Sequence, residues 1–177
     1  MGSCGRGIAG CIPESIRERI TSAEISIDAA SPETYAINRR GGAFDTLLEN
    51  LAFVAELRRD GPLRSLKISM VVQENNVHEM VDFVRLGQRF GADIVYFGRL
   101  VDWGTFTPSE FRRRAIHRSD HPRHPDLLAA LAHPVMQDNC VFLGNLTQYT
   151  DPQVLEPTDA FVFVKWSNGA SGSLSST

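Results

Sequence analysis

The period of the apolar positions changes several times along the chain. In "AEISID", residues 23–28, Ile25 and Ile27 alternate with Ser26 and Asp28, the two-residue rhythm of a strand with unlike faces. That rhythm breaks at Ala29-Ala30, and Ser31-Pro32 has the form of a helix start, with proline just behind the cap. From Phe44 the spacing lengthens. Phe44, Leu47, Leu48, Leu51, Val54, Ala55 and Arg58 keep helical intervals with one apolar stripe, and Asp60-Gly61-Pro62 stops the run. "LKISMVVQ", 66–73, returns to a strand rhythm, and "ADIVYFGRL", 92–100, repeats it. Between them Asn76 and Glu79 frame a start of the capping-box kind for a helix that Gly91 ends. "IPESIRERI", 12–20, reads as a short helix with Pro13 at its first position, and Thr107-Pro108-Ser109-Glu110 opens another, basic one.

Helices alternating with strands predict parallel βα units joined by right-handed crossovers, in an open sheet or in part of a barrel. Either arrangement gathers its chemistry at the carboxyl ends of the strands. Beyond about residue 117 the pattern loosens into a His-rich loop, a short helix in "PDLLAALAHP" and a candidate strand in "CVFLG". "AFVFV", 160–164, is a further candidate strand, and the Ser/Gly-rich end is expected to be disordered.

With 177 residues, 42% hydrophobic and 22% charged, the chain has the composition of one globular domain with a core. A net charge of -3 leaves no footprint for nucleic acid, and no apolar run approaches a membrane span, so neither partner is expected. The basic run Arg112-Arg113-Arg114 lies near Glu110 and Asp120 and reads as a solvated helix face. No signal-peptide pattern opens the chain, and a cytoplasmic location is expected. The three cysteines, Cys4, Cys11 and Cys140, are too few and too scattered for a disulfide framework, and free thiols are expected.

The first strand holds the most pointed chemical question. If Ile25 and Ile27 face the helices, Ser26 and Asp28 face the other way, and Lys67, Ser69 and Gln73 give the second strand a similar polar side. A carboxylate on a dry sheet face is costly unless it has partners, so a polar inner face suits a polar ligand. Asp28 then accepts hydrogen bonds from the hydroxyls of a ribose. The alternative has it capping the following turn through the amides of Ala30 or Ser31.

Two pieces, "ISIDAASPETYAINRRGGAFDTLLENLAFV" and "VVQENNVHEMVDFVRLGQRFGADIVYFGRL", carry a likeness. Over residues 12–146 the chain resembles the radical S-adenosylmethionine enzymes. The Ser-x-Asp, Ser-Pro-Glu-Thr-Tyr and Arg-Gly-Gly order is similar to the fourth strand and helix of members that carry a C-terminal auxiliary-cluster (SPASM-type) domain. The resemblance implies an incomplete (β/α) barrel, with parallel strands, alternating helices and the N-terminal strands missing. It implies a 1–11 tag-like or flexible segment, a 12–146 partial barrel and an irregular 147–177 segment. It implies S-adenosylmethionine and a [4Fe–4S] cluster as cofactors, and radical modification of a peptide or small molecule as the parent activity. Ser26 and Asp28 then fall at ribose-holding positions, and Arg39, or Arg40 in its place, pairs the methionyl carboxylate bidentately. Gln73, Asn75 and Phe97 lie close to the adenine. The family's Cys-x3-Cys-x2-Cys loop does not occur in the sequence, so the cluster ligands are not expected from this chain. Four readings follow: a fragment inactive alone, one chain of a split enzyme whose partner covers an exposed sheet edge near 23–28, a non-catalytic binding or scaffold module, or a small α/β enzyme of another class with Asp28 as its acid/base and no iron–sulfur link.

Other constellations read more plainly. His117, His121 and His124 crowd one stretch, with His133 further on, but Pro122 and Pro125 break any helix that could align them as metal ligands, and a polar loop is expected. Trp103 reads as a buried aromatic closing the sheet end or as a pocket wall. Met70 and Met80 are expected in the core, and Gly41-Gly42 is expected to be a helix-to-helix hinge.

Overall fold

A computed structural model describes residues 12–150. The strands are β1 (Ser22–Ser26), β2 (Ser65–Val72), β3 (Ile94–Arg99) and β4 (Val141–Phe142). The helices are α1 (Glu14–Arg17), α2 (Pro32–Asn38), α3 (Phe44–Asp60), α4 (Met80–Arg89), α5 (Pro108–Arg114) and α6 (His124–Leu131). Short 3-10 turns occupy Val77–Glu79, Pro134–Gln137 and Gly144–Tyr149. The four strands form one parallel sheet in the order β1-β2-β3-β4, so the expected α/β class with parallel strands and alternating helices is what the chain adopts. The candidate strand at 160–164, and the ends expected to be flexible, lie outside the described residues.

Each strand neighbours the next in sequence, so right-handed crossovers put the connecting helices on the same side. Burial agrees. Ile27, Leu66, Ile68, Met70, Val72, Val95 and Phe97 pack with Leu51 and Val54 of α3 and with Met80, Phe83 and Val84 of α4 in one core. Met70 and Met80 are fully buried, as expected. The opposite face is polar and partly open. The register aligns Glu24 with Lys67, and Ser26 with Ser69 and then Tyr96. Glu24 and Ser26 are exposed there, Lys67 pairs with Glu24 at 3.0 Å, and its ammonium sits 4.5 Å from the Tyr96 ring centre.

Local signals acted largely as their chemistry demands. Ser31 caps α2 by accepting from the Thr34 amide, and Thr107 caps α5 by accepting from that of Glu110. Gly41, at φ +81, makes the hinge between α2 and α3, and Gly91, at φ +65, follows the end of α4. At the start of α1 Pro13 stands at the cap rather than inside, and the helix is only four residues long with no buried side chain. The capping box at Asn76 does not form, because both of its side chains are committed elsewhere.

Gly87 shows how closely α4 lies on the sheet. A Cβ there would sit 2.4 Å from Val95 Cγ2 and 3.1 Å from Ile68 Cδ1. Glycine to alanine inside a helix ordinarily stabilises by about 0.5–1 kcal/mol, but overpacking a filled core costs about 1–3 kcal/mol. Gly87→Ala is therefore expected to lower the unfolding free energy in a urea titration, and a neutral or stabilising result would show that α4 can lift off the sheet without loss.

Candidate functional site

The site grows from the end of β1. Pairing with β2 ends at Ser26–Ser69, after which the amides of Ile27 and Asp28 both point at the Ser69 carbonyl, at 3.0 and 3.4 Å. Asp28 then turns the chain with φ +63, a left-handed conformation that aspartate tolerates better than most residues because its short side chain bonds locally. Its carboxylate is half-sequestered. Oδ1 accepts from the Val71 amide at 2.8 Å, and Oδ2 accepts from Arg39 Nη2 at 2.7 Å. Its carbonyl accepts from Asn38 Nδ2 at 2.7 Å and from Asn76 Nδ2 at 3.1 Å. These contacts make Asp28 a bracket between β1, β2 and α2, and it does not cap the following turn, whose Ala30 amide donates to Glu79 instead.

Arg39 closes the group. Nη2 donates to Ser26 Oγ at 2.6 Å as well as to Asp28, while Nε is buried without a hydrogen-bond partner. The side chain as a whole is 37% exposed. Ser26, Asp28 and Arg39, all read from the sequence as site residues, thus meet at one nitrogen on the polar face. A carboxylate has about four lone-pair sites and this one has used two with protein partners, while the Ser26 hydroxyl keeps its proton to donate. Burial raises the pKa of Asp28 above its ordinary 3.8, opposed by the Val71 amide and by the Arg39 charge.

The remaining site residues separate. Asn75 donates to Asn38 Oδ1 at 2.7 Å beside the group. Gln73 is nearly buried at the end of β2, held through its amide by Asn76. Phe97 departs from the expectation. It is fully buried on the helix side, edge-on to Phe83 at 5.6 Å, and its strand position aims it away from the polar face. Arg40 is exposed and lines a small cavity of about 150 Å³ with Asn75 and Arg113. Trp103 is 78% exposed, so it neither closes the sheet end as a buried ring nor lines one of the cavities described here.

Sequence reasoning missed Glu79 and Asn76. The turn that was a candidate for Asp28 is held by Glu79, whose carboxylate accepts from the Ala30 amide at 2.6 Å and from the Ser31 hydroxyl. Asn76, with no exposed surface, donates to the carbonyls of Asp28 and Val71 and accepts from the Gln73 amide at 2.7 Å. A helix-start motif in "ENNVHE" hid both of them, since capping and cross-strand bracketing draw on the same residue types.

Among the described residues the donor set does not suit an iron–sulfur cluster. Cys140 is the one described cysteine, and burial together with Asp138 pushes its thiol up to about 11, so it stays protonated at neutral pH. No three His, Cys, Asp or Glu side chains converge as metal ligands among the described residues. The histidines are held one by one. His117 is edge-on to Phe111, and burial, with the nearby Arg99 and Arg118 charges, depresses its pKa to about 4. His121 Nδ1 accepts from the Arg123 amide, and His124 Nδ1 lies 3.0 Å from the Ile116 carbonyl. Among the described residues no helix is long and apolar enough to cross a membrane. Comparisons with family models, with curated proteins and with solved structures gave no match to the chain.

Replacing Arg39 by Gln removes both the charge and the hydrogen bond that hold the Asp28 pKa down, so Asp28 should titrate at still higher pH. Because the folded value lies above the unfolded one, ionising Asp28 costs stability as pH rises from about 3.8 through the folded pKa. That loss should be larger in Arg39→Gln and absent in Asp28→Asn. The carboxyl carbon shift of Asp28, followed by NMR against pH, reads this directly, and an unchanged midpoint in Arg39→Gln would remove the electrostatic role given to Arg39.

Proposed function

We propose that this chain is a part of a radical S-adenosylmethionine-type α/β barrel that holds the nucleoside and methionyl end of the cofactor. One observation carries the reading: Ser26, Asp28 and Arg39, the residues to which the resemblance gives those contacts, meet on the polar face at the carboxyl end of β1. The sequential parallel order, with helices packed on one side, is the arrangement an arc of such a barrel requires. When bound, S-adenosylmethionine brings ribose hydroxyls and an amino-acid carboxylate.

Asp28 has lone pairs left for the hydroxyls, and Ser26 has a proton to give. Arg39 has committed Nη2 to protein groups, so it meets a ligand carboxylate through Nη1 alone, a one-ended contact in place of the bidentate pair the family resemblance implies. Asp28, Val71, Asn76 and Asn38 fix the positions of these groups in advance, which lowers the ordering cost of binding. The described residues do not fit the [4Fe–4S] group, and no radical step is assigned to this chain. In the same reading β1, which has no second strand neighbour among the described residues, offers its outer edge to a complementary chain that completes the barrel.

Isothermal titration of the full chain with S-adenosylmethionine tests the site. One-site binding is expected, weakened about tenfold or more by Ser26→Ala combined with Arg39→Gln, for the loss of about 1.5–3 kcal/mol of charged hydrogen bonding. Absence of wild-type binding, or equal affinity in the variant, overturns the reading. The edge proposal has its own measurement. Sedimentation velocity should show concentration-dependent self-association, and a monomer at every concentration would dismiss it.

A further inference from the structure

A second concavity, walled by charged side chains, lies beyond the carboxyl end of β2, away from Ser26 and Asp28. Its volume is about 420 Å³, and its walls include Glu74, Arg112, Arg113, Asp120, His121 and Arg123. Arg112-Arg113-Arg114 has the make-up of a solvated helix face, and cations in the last turn of α5 suit the helix dipole. Dipole compensation explains their presence but not their convergence with Arg123, which comes from a separate segment.

The ion pairs sort these charges. Asp120 is taken up by Arg118 through two contacts at 2.9 Å, Arg114 by Glu110 at 2.7 Å, and Arg123 Nε by Asp126 at 2.7 Å. Glu74 Oε1 comes only to 4.0 Å of Arg123. The guanidinium groups of Arg112 and Arg113 make no hydrogen bond and no ion pair among the described residues, and neither does that of Arg40, which joins Arg113 in the adjoining small cavity. Three guanidinium groups without a hydrogen bond or ion pair among the described residues thus line two adjoining cavities, with the Asp120 carboxylate close enough to Arg112 to feel its charge.

The walls are fixed from below. His121 is only 7% exposed, its Nδ1 accepts from the Arg123 amide at 3.1 Å, and its Nε2 lies 2.9 Å from the Arg113 carbonyl. With Nδ1 as acceptor, Nε2 carries the proton and donates, so one neutral ring ties the two arginine-bearing segments together. Arg123 Nη1 donates to the Glu74 carbonyl at 3.0 Å, and the Glu74 amide donates to the Arg114 carbonyl at 3.0 Å. These bonds seat α5 and the loop after it on the end of β2.

We infer that this concavity binds the phosphate of a small hydroxylated phosphomonoester. Arg112 and Arg113 supply the planar donor forks that match phosphate oxygens, and a dianion neutralises both of them. The Glu74 carboxylate, 4.0 Å from Arg123 Nη1 and without a hydrogen bond to it, accepts a hydroxyl from the carbon skeleton. The volume holds a phosphate together with a skeleton of sugar size. S-adenosylmethionine carries no phosphate, so this site stands or falls apart from the one at Asp28.

The test titrates the full chain with inorganic phosphate and with ribose 5-phosphate at fixed ionic strength. Saturable one-site binding of both is expected, with ribose 5-phosphate the tighter. Arg112→Gln with Arg113→Gln should weaken both at least tenfold; the two side chains are exposed, and a melting curve unchanged from wild type confirms the fold. Glu74→Gln should reduce the preference for ribose 5-phosphate while leaving inorganic phosphate binding in place. Arg59→Gln with Arg85→Gln, which removes two exposed cations remote from the cavity, serves as the charge control. Non-saturable binding, or an equal loss in the control, overturns the site, and an unchanged preference in Glu74→Gln overturns the hydroxyl contact.

Discussion

The side-chain amide of Asn76 takes over where the β1–β2 ladder stops. Beyond Ser26 the two chains diverge, and their carbonyl and amide groups would otherwise end in the protein interior without partners. Asn76 donates to the carbonyl of Asp28 on one side and to that of Val71 on the other, and it accepts from the Gln73 amide. Leaving a buried polar group unmatched costs about 1–3 kcal/mol, so one residue with no exposed surface prevents several such losses at once. The left-handed turn at Asp28, the seat of Arg39 and the approach of α2 to β2 all depend on this bracket. Glu79 repeats the principle one turn further on by holding Ala30 and Ser31 from the start of α4.

Much of the architecture can be read directly from apolar spacing. The strands at 23–28, 66–73 and 92–100 appear as Ser22–Ser26, Ser65–Val72 and Ile94–Arg99, and the long stripe from Phe44 appears as α3. These are runs in which burial on one side forces a clear period. The short elements resisted that reading. α1 buries nothing, so packing does not extend it, and β4 has only two paired residues. Phe97 illustrates another limit: its place near the site came from a likeness, while alternation along β3 turns it to the helix side, opposite Tyr96.

The site was legible where chemistry and periodicity agreed. Ser26 and Asp28 stand two apart on a strand and share a face, and Arg39 follows one short helix later, so their meeting needs only the turn between. Asn38, Asn76 and Glu79 were not legible, because nothing within ten residues of each announces a partner on another βα unit. Arg112 and Arg113 of α5 are exposed, as a solvated helix face requires, but the ion pairing around them was not legible either. Their local neighbours Glu110 and Asp120 suggested neutralisation, but Glu110 is taken by Arg114 and Asp120 by Arg118, leaving Arg112 and Arg113 over.

The sequential strand order also bears on how the chain assembles. Each described strand after β1 pairs with the one before it, so within the described residues no strand waits for a distant segment to find its partner in the sheet. The entropy of closing a loop grows only slowly with its length, and topologies built from near neighbours in sequence fold fast. The bonds between Ala30 and Glu79 and between Asp28 and Asn76 span 49 and 48 residues, within one unit and the next. Two successive βα units therefore contain everything needed to complete the polar edge at Asp28, and that edge can form early, as a finished surface on which the later units are laid.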